Sequence, residues 1–395
     1  MQYLVKFEDE NKLSDVLQVP DSIDSNQLKT LFNLNKGVSL YINGSMIVDT
    51  LQKTLKGDTD IESIKIIKVV AKSGSAPSAY CSSVISGHSG PVLTLVITKD
   101  GRTLVTAGAD KTVRFWDMLT KTQIKIHRKH NHWIMALIEL DDFIVAGGMD
   151  SNISVYSKTG DFIMSFSKQK KGITKLIKVD QNVFVSGARD GTVAIFDISD
   201  NIANCRNILQ HKLPITDIKT NGKIIVSSSK DGAVKISDIN LEYICHINES
   251  DTQVNCIEIV GDKIVTGDEL GNVLVYESNK VKYRMKHKRE VISVSGDENG
   301  MNFVTGSFDK TVKGWNAETG ALLFTQYHVD FVYRVKYFND LVISIGKDRI
   351  VKYYRPSENK RVCEFVTKDE IYDFDYSKGT VVAVSKDSNV YFYNN

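Results

Sequence analysis

The chain has 395 residues, 42% hydrophobic and 25% charged, a composition that excludes a collagen and a disordered tail protein. No run approaches the ~18–20 apolar residues of a membrane helix, and the start, MQYLVKFEDENK, shows no basic-then-apolar leader, so neither a membrane span nor secretion is expected. Fifty Lys and Arg against 48 Asp and Glu leave a net charge of +2, and the five cysteines form no CxxC pair, which points to a reducing compartment, cytosol or nucleus.

Residues 1–70 carry eight Lys and ten Asp or Glu, so −2, and the rest of the chain carries 42 − 38 = +4. Tyr3, Val5 and Phe7 alternate with polar residues and predict a strand over 2–8. Val16, Leu17 and Val19 predict a second. Asp24 or Ser25 caps a helix whose apolar positions are Leu28, Leu31 and Phe32. Asn43-Gly44 is a hairpin signal within 39–48, and SIKIIKVV at 63–70 predicts the last strand. This ββαββ order looks like a small α+β ubiquitin-like (β-grasp) domain. Just before its last strand lie Asp58, Asp60 and Glu62. Residues 71–80, AKSGSAPSAY, read as a linker. The predicted division is therefore 1–70, the linker 71–80, and 81–395.

From residue 81 one pattern recurs: a small residue or two, Asp, two residues, Val or Ile, a residue, an apolar residue, an aromatic. It reads GADKTVRFW at Asp110, GMDSNISVY at Asp150, ARDGTVAIF at Asp190 and SKDGAVKIS at Asp231. It returns as SFDKTVKGW at Asp309, GKDRIVKYY at Asp348 and SKDSNVYFY at Asp387, with a degenerate copy, ELGNVLVY, that puts Leu270 in the Asp column. The spacings are 40, 40, 41, 39, 39, 39 and 39. Each copy has a period of two across a tight turn, as in residues 103–106 and 112–116, the mark of a hairpin. Five of the eight histidines stand four residues before an apolar position: His88, His130, His211, His287 and His328.

These repeats resemble the WD40 family, whose namesake dipeptides are Gly87-His88 and Trp116-Asp117 here. One such repeat makes a four-stranded propeller blade. The resemblance implies a mainly β fold, an eight-bladed WD40 β-propeller behind the ubiquitin-like domain. The eighth copy ends after its third strand, near 389–393, and a spare strand, Cys81–Ser86, precedes the first copy, so the two are expected to pair and close the ring. The sets His88, Thr106, Asp110, Trp116 and His287, Thr305, Asp309, Trp315 contain the residue types of a hydrolytic triad. They repeat blade by blade, and the resemblance implies a structural hydrogen-bond relay. No catalytic residue is expected.

The combination of a ubiquitin-like head and eight blades resembles the Notchless family of ribosome-assembly factors. The matching stretches are CSSVISGHSGPVL (81–93), DKTVRFWDMLTKT (110–122), KHNHWIMAL (129–137), SSKDGAVKISD (228–238) and SFDKTVKGWNAETG (307–320). Set against the family, the sequence is expected to lack the extension before the head and the insertion in a middle blade. The resemblance implies a nucleolar, nuclear factor whose propeller binds the precursor of the large (60S) ribosomal subunit, with its rRNA, ribosomal proteins and assembly factors. It also implies a head grasped by midasin, an AAA-type ATPase. An acidic residue before the last head strand would complete the Mg²⁺ shell of midasin's adhesion site, and Glu62, then Asp60, fit that role. The chain needs no cofactor of its own, and neither a membrane nor a small-molecule substrate is expected as a partner.

The residue before each turn Asp is expected at the rim around the central channel. That column reads Ala109, Met149, Arg189, Lys230, Glu269, Phe308, Lys347 and Lys386. A ring of cations there suits rRNA phosphates. Trp133 and Phe331 would add stacking or apolar protein contact. The alternative is a general WD40 scaffold or a ubiquitin-ligase substrate receptor; a phosphodegron receptor would need an arginine cluster, and the column has only Arg189.

Overall fold

The computed structural model describes residues 2–9, 12–20, 22–31, 39–42, 45–46, 67–72, 81–247, 252–338, 340–358, 360–377 and 379–394. The chain divides into two compact units, Met1–Ser78 and Ala79–Asn395. No described helix is long and apolar enough to cross a membrane.

The first unit contains β1 (Gln2–Asp9), β2 (Lys12–Pro20), α1 (Ser25–Leu31), β3 (Ser39–Ile42), β4 (Ser45–Met46) and β5 (Ile67–Lys72). Its sheet has the order β2-β1-β5-β3-β4, with β1 and β5 parallel at its centre. Of the two candidate caps, Asp24 is the one used: its carboxylate accepts from the Gln27 amide at 2.8 Å, and the Gln27 side chain returns the contact at 3.0 Å. Leu28 is fully buried, but Leu31 is 48% exposed, so the expected apolar stripe is narrower than its spacing suggested. The linker expectation also needs correcting: Ala71 and Lys72 pair with Leu40 and Ser39, so β5 runs two residues past 70.

The second unit contains eight four-stranded antiparallel sheets among the described residues. Seven are built from consecutive strands. The eighth takes 371–377, 380–385 and 389–394 and adds β6 (Cys81–Ser86) as its outer strand. The register runs from Asn389 opposite Ser86 to Tyr393 opposite Cys81. The ring is thus closed by a strand from the other end of the unit, and the 389–394 strand is not left as an open edge.

In every blade the ladder between first and second strands slips at one place. In the first blade Val92 faces Gly108 and Thr94 faces Ala107, leaving Leu93 unpaired; in the last, Ile371 and Asp373 bracket Tyr372. The same slip occurs at Met135, Thr174, Thr216, Asn255, Ile292 and Tyr333. A bulge turns its side chain out of the pleat, and four of these residues use the freedom to bond the next blade, Tyr333 through its hydroxyl to Glu370 Oε2 at 3.0 Å and the other three to backbone carbonyls. Thr174 Oγ1 donates to the Ile215 carbonyl at 3.0 Å, Thr216 Oγ1 to Val254 at 2.6 Å, and Asn255 Nδ2 to Val291 at 3.1 Å.

The core lies between blades, one apolar cluster for each junction. Ala136, Val145 and Ile153 of the second blade pack on Ile173, Phe184 and Phe196 of the third. The closing junction joins Ile85, Val390 and Phe392 to Leu95, Leu104 and Trp116. The aromatic that ends seven of the eight sequence repeats fills these junctions: Trp116, Tyr156, Phe196, Tyr276, Trp315, Tyr354 and Tyr393 are all buried.

Candidate interaction site on the propeller rim

Each repeat's tight turn places the following residue at positive φ: Lys111, Ser151, Gly191, Gly232, Gly271, Lys310, Arg349 and Ser388. Only three are glycine, so the turn needs another support. The turn Asp supplies it. Asp110 Oδ1 accepts from the Thr112 amide at 3.1 Å, and its Oδ2 accepts from the Ser89 amide in the loop entering the blade, at 3.2 Å. Asp309 does the same for Thr311 and Lys288, and Asp348 for Ile350 and Val329. One carboxylate therefore fixes two loops on one face of the ring.

The degenerate copy corrects the sequence register. Leu270 occupies the Asp column but is exposed. The carboxylate moves two residues back, to Asp268, which accepts from the Leu270 amide at 3.0 Å and the Asn272 amide at 2.7 Å. In the third blade Gln169 stands at the His position, accepting from Ser186 and donating to Thr192 Oγ1 at 2.8 Å. Its spacing, four residues before Ile173, was the signal that a search for histidine overlooked.

In the first blade Trp116 Nε1 donates to Thr106 Oγ1 at 2.8 Å, Thr106 lies 2.8 Å from His88 Nε2, and His88 Nδ1 lies 2.9 Å from Asp110. An indole only donates, so the Thr hydroxyl proton serves Nε2, and Nδ1–H serves the carboxylate. Burial opposes ionisation of Asp110, but hydrogen bonds from His88 and Thr112 outweigh it and hold the carboxyl well below the usual range. His287, Thr305, Asp309 and Trp315 repeat the arrangement at 2.7–2.9 Å. Gly87 completes the first set: a Cβ there would lie 2.8 Å from the Trp116 ring. Both Thr hydroxyls are fully buried, so neither is presented to a substrate.

The fourth blade lacks part of this relay. His211 Nε2 meets Ser227 at 2.8 Å, but Nδ1 has no hydrogen-bond partner and lies 3.7 Å from Asp231. Burial pushes the His211 pKa down to about 4. The unfolded chain therefore takes up this proton first. The group's contribution is complete above about pH 6.5, declines as pH falls, and is gone near pH 4. Between pH 6.5 and 4.5 wild type should lose about 2–3 kcal/mol that His211→Gln keeps, at 1.4 kcal/mol per unit. Gln already serves in this position in the third blade. Urea midpoints of the two proteins at the two pH values check this; parallel losses would refute it.

The rim column is regular around the whole ring. The amide of each column residue donates to the carbonyl of the residue that precedes the blade's first strand: Ala109 to Pro91, Met149 to Trp133, Arg189 to Gly172, Lys230 to Pro214 and so on to Lys386 and Glu370, at 2.7–3.1 Å. The four cations of the column differ in their surroundings. Lys386 is ion-paired to Glu370 at 3.0 Å, and Lys347 lies 3.8 Å from Asp330 and over the Phe331 ring. Arg189 and Lys230 are exposed and have no carboxylate partner among the described residues. The two aromatics divide the same way. Phe331 is half-buried, stacked on Phe308 at 4.7 Å and covered by Arg289, whereas Trp133 is 49% exposed. Glu62 and Asp60 lie outside the described residues.

The central channel, about 580 Å³, carries charges that the repeat pattern did not reveal. Lys175 lies 3.3 Å from Asp217, Lys219 bonds Glu258 at 2.7 Å, Lys336 bonds Asp375 at 3.0 Å, and Arg334 bonds Asp373. Four cations meet four anions, so the channel presents no net charge to a polyanion. The signal was available: DIK at 217–219, RVK at 334–336 and DFD at 373–375 alternate charge with apolar residues on first strands.

The family model for the WD domain, G-beta repeat matches residues 79–117, 203–238 and 279–316. The chain carries WD40 repeats. Telomerase protein component 1 of Mus musculus is 28% identical over 123 residues, which cover 30% of this chain and 5% of that protein. The guanine nucleotide-binding protein subunit beta-like protein of Encephalitozoon cuniculi is 28% identical over 120 residues, 28% of this chain and 36% of that one. The matched stretch thus spans well under two thirds of these relatives. Among solved structures, Chaetomium thermophilum Sqt1 bound to the N-terminus of the ribosomal protein L10 aligns at a TM-score of 0.74, with 16% identity, over 80% of this chain and 100% of that one. The computationally designed Ika8 protein aligns at 0.72, with 24% identity, over 78% and 98%. At these identities the likeness shows the fold alone, a β-propeller.

Proposed function

We propose that this WD40 propeller is an assembly factor of the large ribosomal subunit, of the Notchless type, that couples a precursor particle to midasin. The observation that carries the reading is the pairing, in one chain, of eight blades with a first unit whose sheet runs β2-β1-β5-β3-β4 with parallel central strands. That is the strand order of a ubiquitin-like domain. The likeness to Sqt1, a propeller of this shape that holds a ribosomal protein segment, supports a ribosomal setting. The propeller would load on the particle, and Glu62 or Asp60 would give midasin's Mg²⁺ a carboxylate oxygen, which a hard cation prefers.

The test is a binding assay of the full chain with midasin's adhesion domain, with Mg²⁺ and with chelator. Wild type should bind only with Mg²⁺. Glu62→Ala, or Asp60→Ala if Asp60 is the ligand, should fall below detection, because Ala offers the metal no oxygen. The variant should still co-purify large-subunit precursors. Binding that ignores chelator, or survives loss of both carboxylates, removes the metal bridge; recovery of a cullin ligase in place of precursors would turn the reading to a substrate receptor.

A further inference from the structure

The rim carries a run of basic residues over two adjacent blades. Across the third and fourth blades it bears Lys170, Lys171, Arg189, Lys212 and Lys230, all exposed, and none paired to a carboxylate among the described residues. The nearby Asp190 and Asp231 accept from the Lys170 amide at 2.6 Å and the Lys212 amide at 2.9 Å, so each carboxylate is turned into its own loop. Between these blades and the second lies a concavity of about 480 Å³, lined on one side by Lys170, Lys171 and Arg189. Its floor is Met149 lying on Gly172, where a Cβ would come within 2.9 Å of the sulfur. His132 also lines it, and the half-exposed Trp133 adjoins His132, their ring centroids 5.6 Å apart and edge-on. In the same column Lys347 and Lys386 have carboxylate neighbours, Asp330 and Glu370.

We propose that this crescent binds a single strand of RNA, its cations on successive phosphates and Trp133 against a base. Unpaired cations beside an exposed aromatic are the two components that single-strand binding combines. Four of the five cations are lysines, point charges on flexible stems that follow an irregular backbone. The inference rests on the assembly-factor reading for its setting and narrows it to one arc of the rim.

The slope of log K against log salt for single strands is about −0.7 per phosphate neutralised, so five contacts give about −3.5. Raising salt from about 50 to 200 mM should then weaken binding of a labelled single-stranded RNA of about 12 nucleotides by about a hundredfold. The full chain with Lys170→Ala, Lys171→Ala and Arg189→Ala should show a slope near −1.4 and only about a sevenfold loss. Lys347→Ala with Lys386→Ala should keep the wild-type slope. Trp133→Ala should weaken binding roughly tenfold at every salt concentration without changing the slope. An unchanged slope in the triple variant overturns the proposal, as does displacement of the RNA by polyglutamate at equal concentration, which would assign the arc to an acidic protein. Co-sedimentation with large-subunit precursors separates the two readings. A chain that sediments with precursors but ignores the RNA loses the crescent and keeps the assembly role; one that does neither loses both.

Discussion

A chain that begins at residue 87 is expected to aggregate or to melt far below wild type, whereas one that begins at residue 81 should keep its propeller. The two differ by β6 alone. That strand makes five registered pairs with 389–393 and buries Ile85 in the junction with the first blade. At about 1 kcal/mol for each backbone bond and about 2 for the isoleucine, its removal costs about 7 kcal/mol, comparable with the whole stability of a domain. It also bares the 389–394 strand, which would recruit another chain. Deleting 1–80 removes the first compact unit and touches no pair in the eight sheets. Thermal melting and size-exclusion chromatography decide the matter. A monomeric chain from residue 87 with wild-type melting would show that the ring needs no closing strand.

The second large effect lies in the turn carboxylates. Asp309 accepts from His287 Nδ1, the Lys288 amide, the Thr311 amide and the Thr311 hydroxyl, all between 2.6 and 3.0 Å. Asp309→Ala orphans these donors, some of them buried, and should cost about 4 kcal/mol. Asp309→Asn keeps one acceptor oxygen and should cost about half as much. Leu270→Ala, in the same column of the fifth blade, should cost under about 0.5 kcal/mol, because the turn there is held by Asp268. Urea denaturation of the three variants gives the comparison. Equal losses at Asp309 and Leu270 would contradict the account of the turn.

The propeller was legible because its local grammar repeats. A period of two, a turn carboxylate and a buried aromatic recur at nearly constant spacing, and the blade count and closing strand follow from that spacing. Three things escaped for physical reasons. Asp268 serves a turn from outside its column, because a carboxylate two residues away still reaches the Asn272 amide. Gln169 replaces a histidine because both place an acceptor and a donor between strands. The pairing of Lys347 and Lys386 depends on Asp330 and Glu370, which sit some 16 residues away in sequence and meet them only when loop and turn are brought to one rim. A column of letters shows charge but not whether the charge has been answered. The bulges that aim Leu93, Met135 and Tyr372 out of the ladder leave no mark in composition either.

The closing strand has a mechanical meaning as well. In the chain the first unit precedes β6, so tension carried along the backbone from it arrives at the strand by which the ring is closed through pairing rather than through continuous polypeptide. Drawn along its own axis, β6 loads all five pairs together and resists in shear. Drawn away from the sheet, it opens one pair at a time, Cys81 from Tyr393 first and Ser86 from Asn389 last. The direction of a pull on the first unit therefore decides whether the propeller is hauled as a rigid cargo or unlatched.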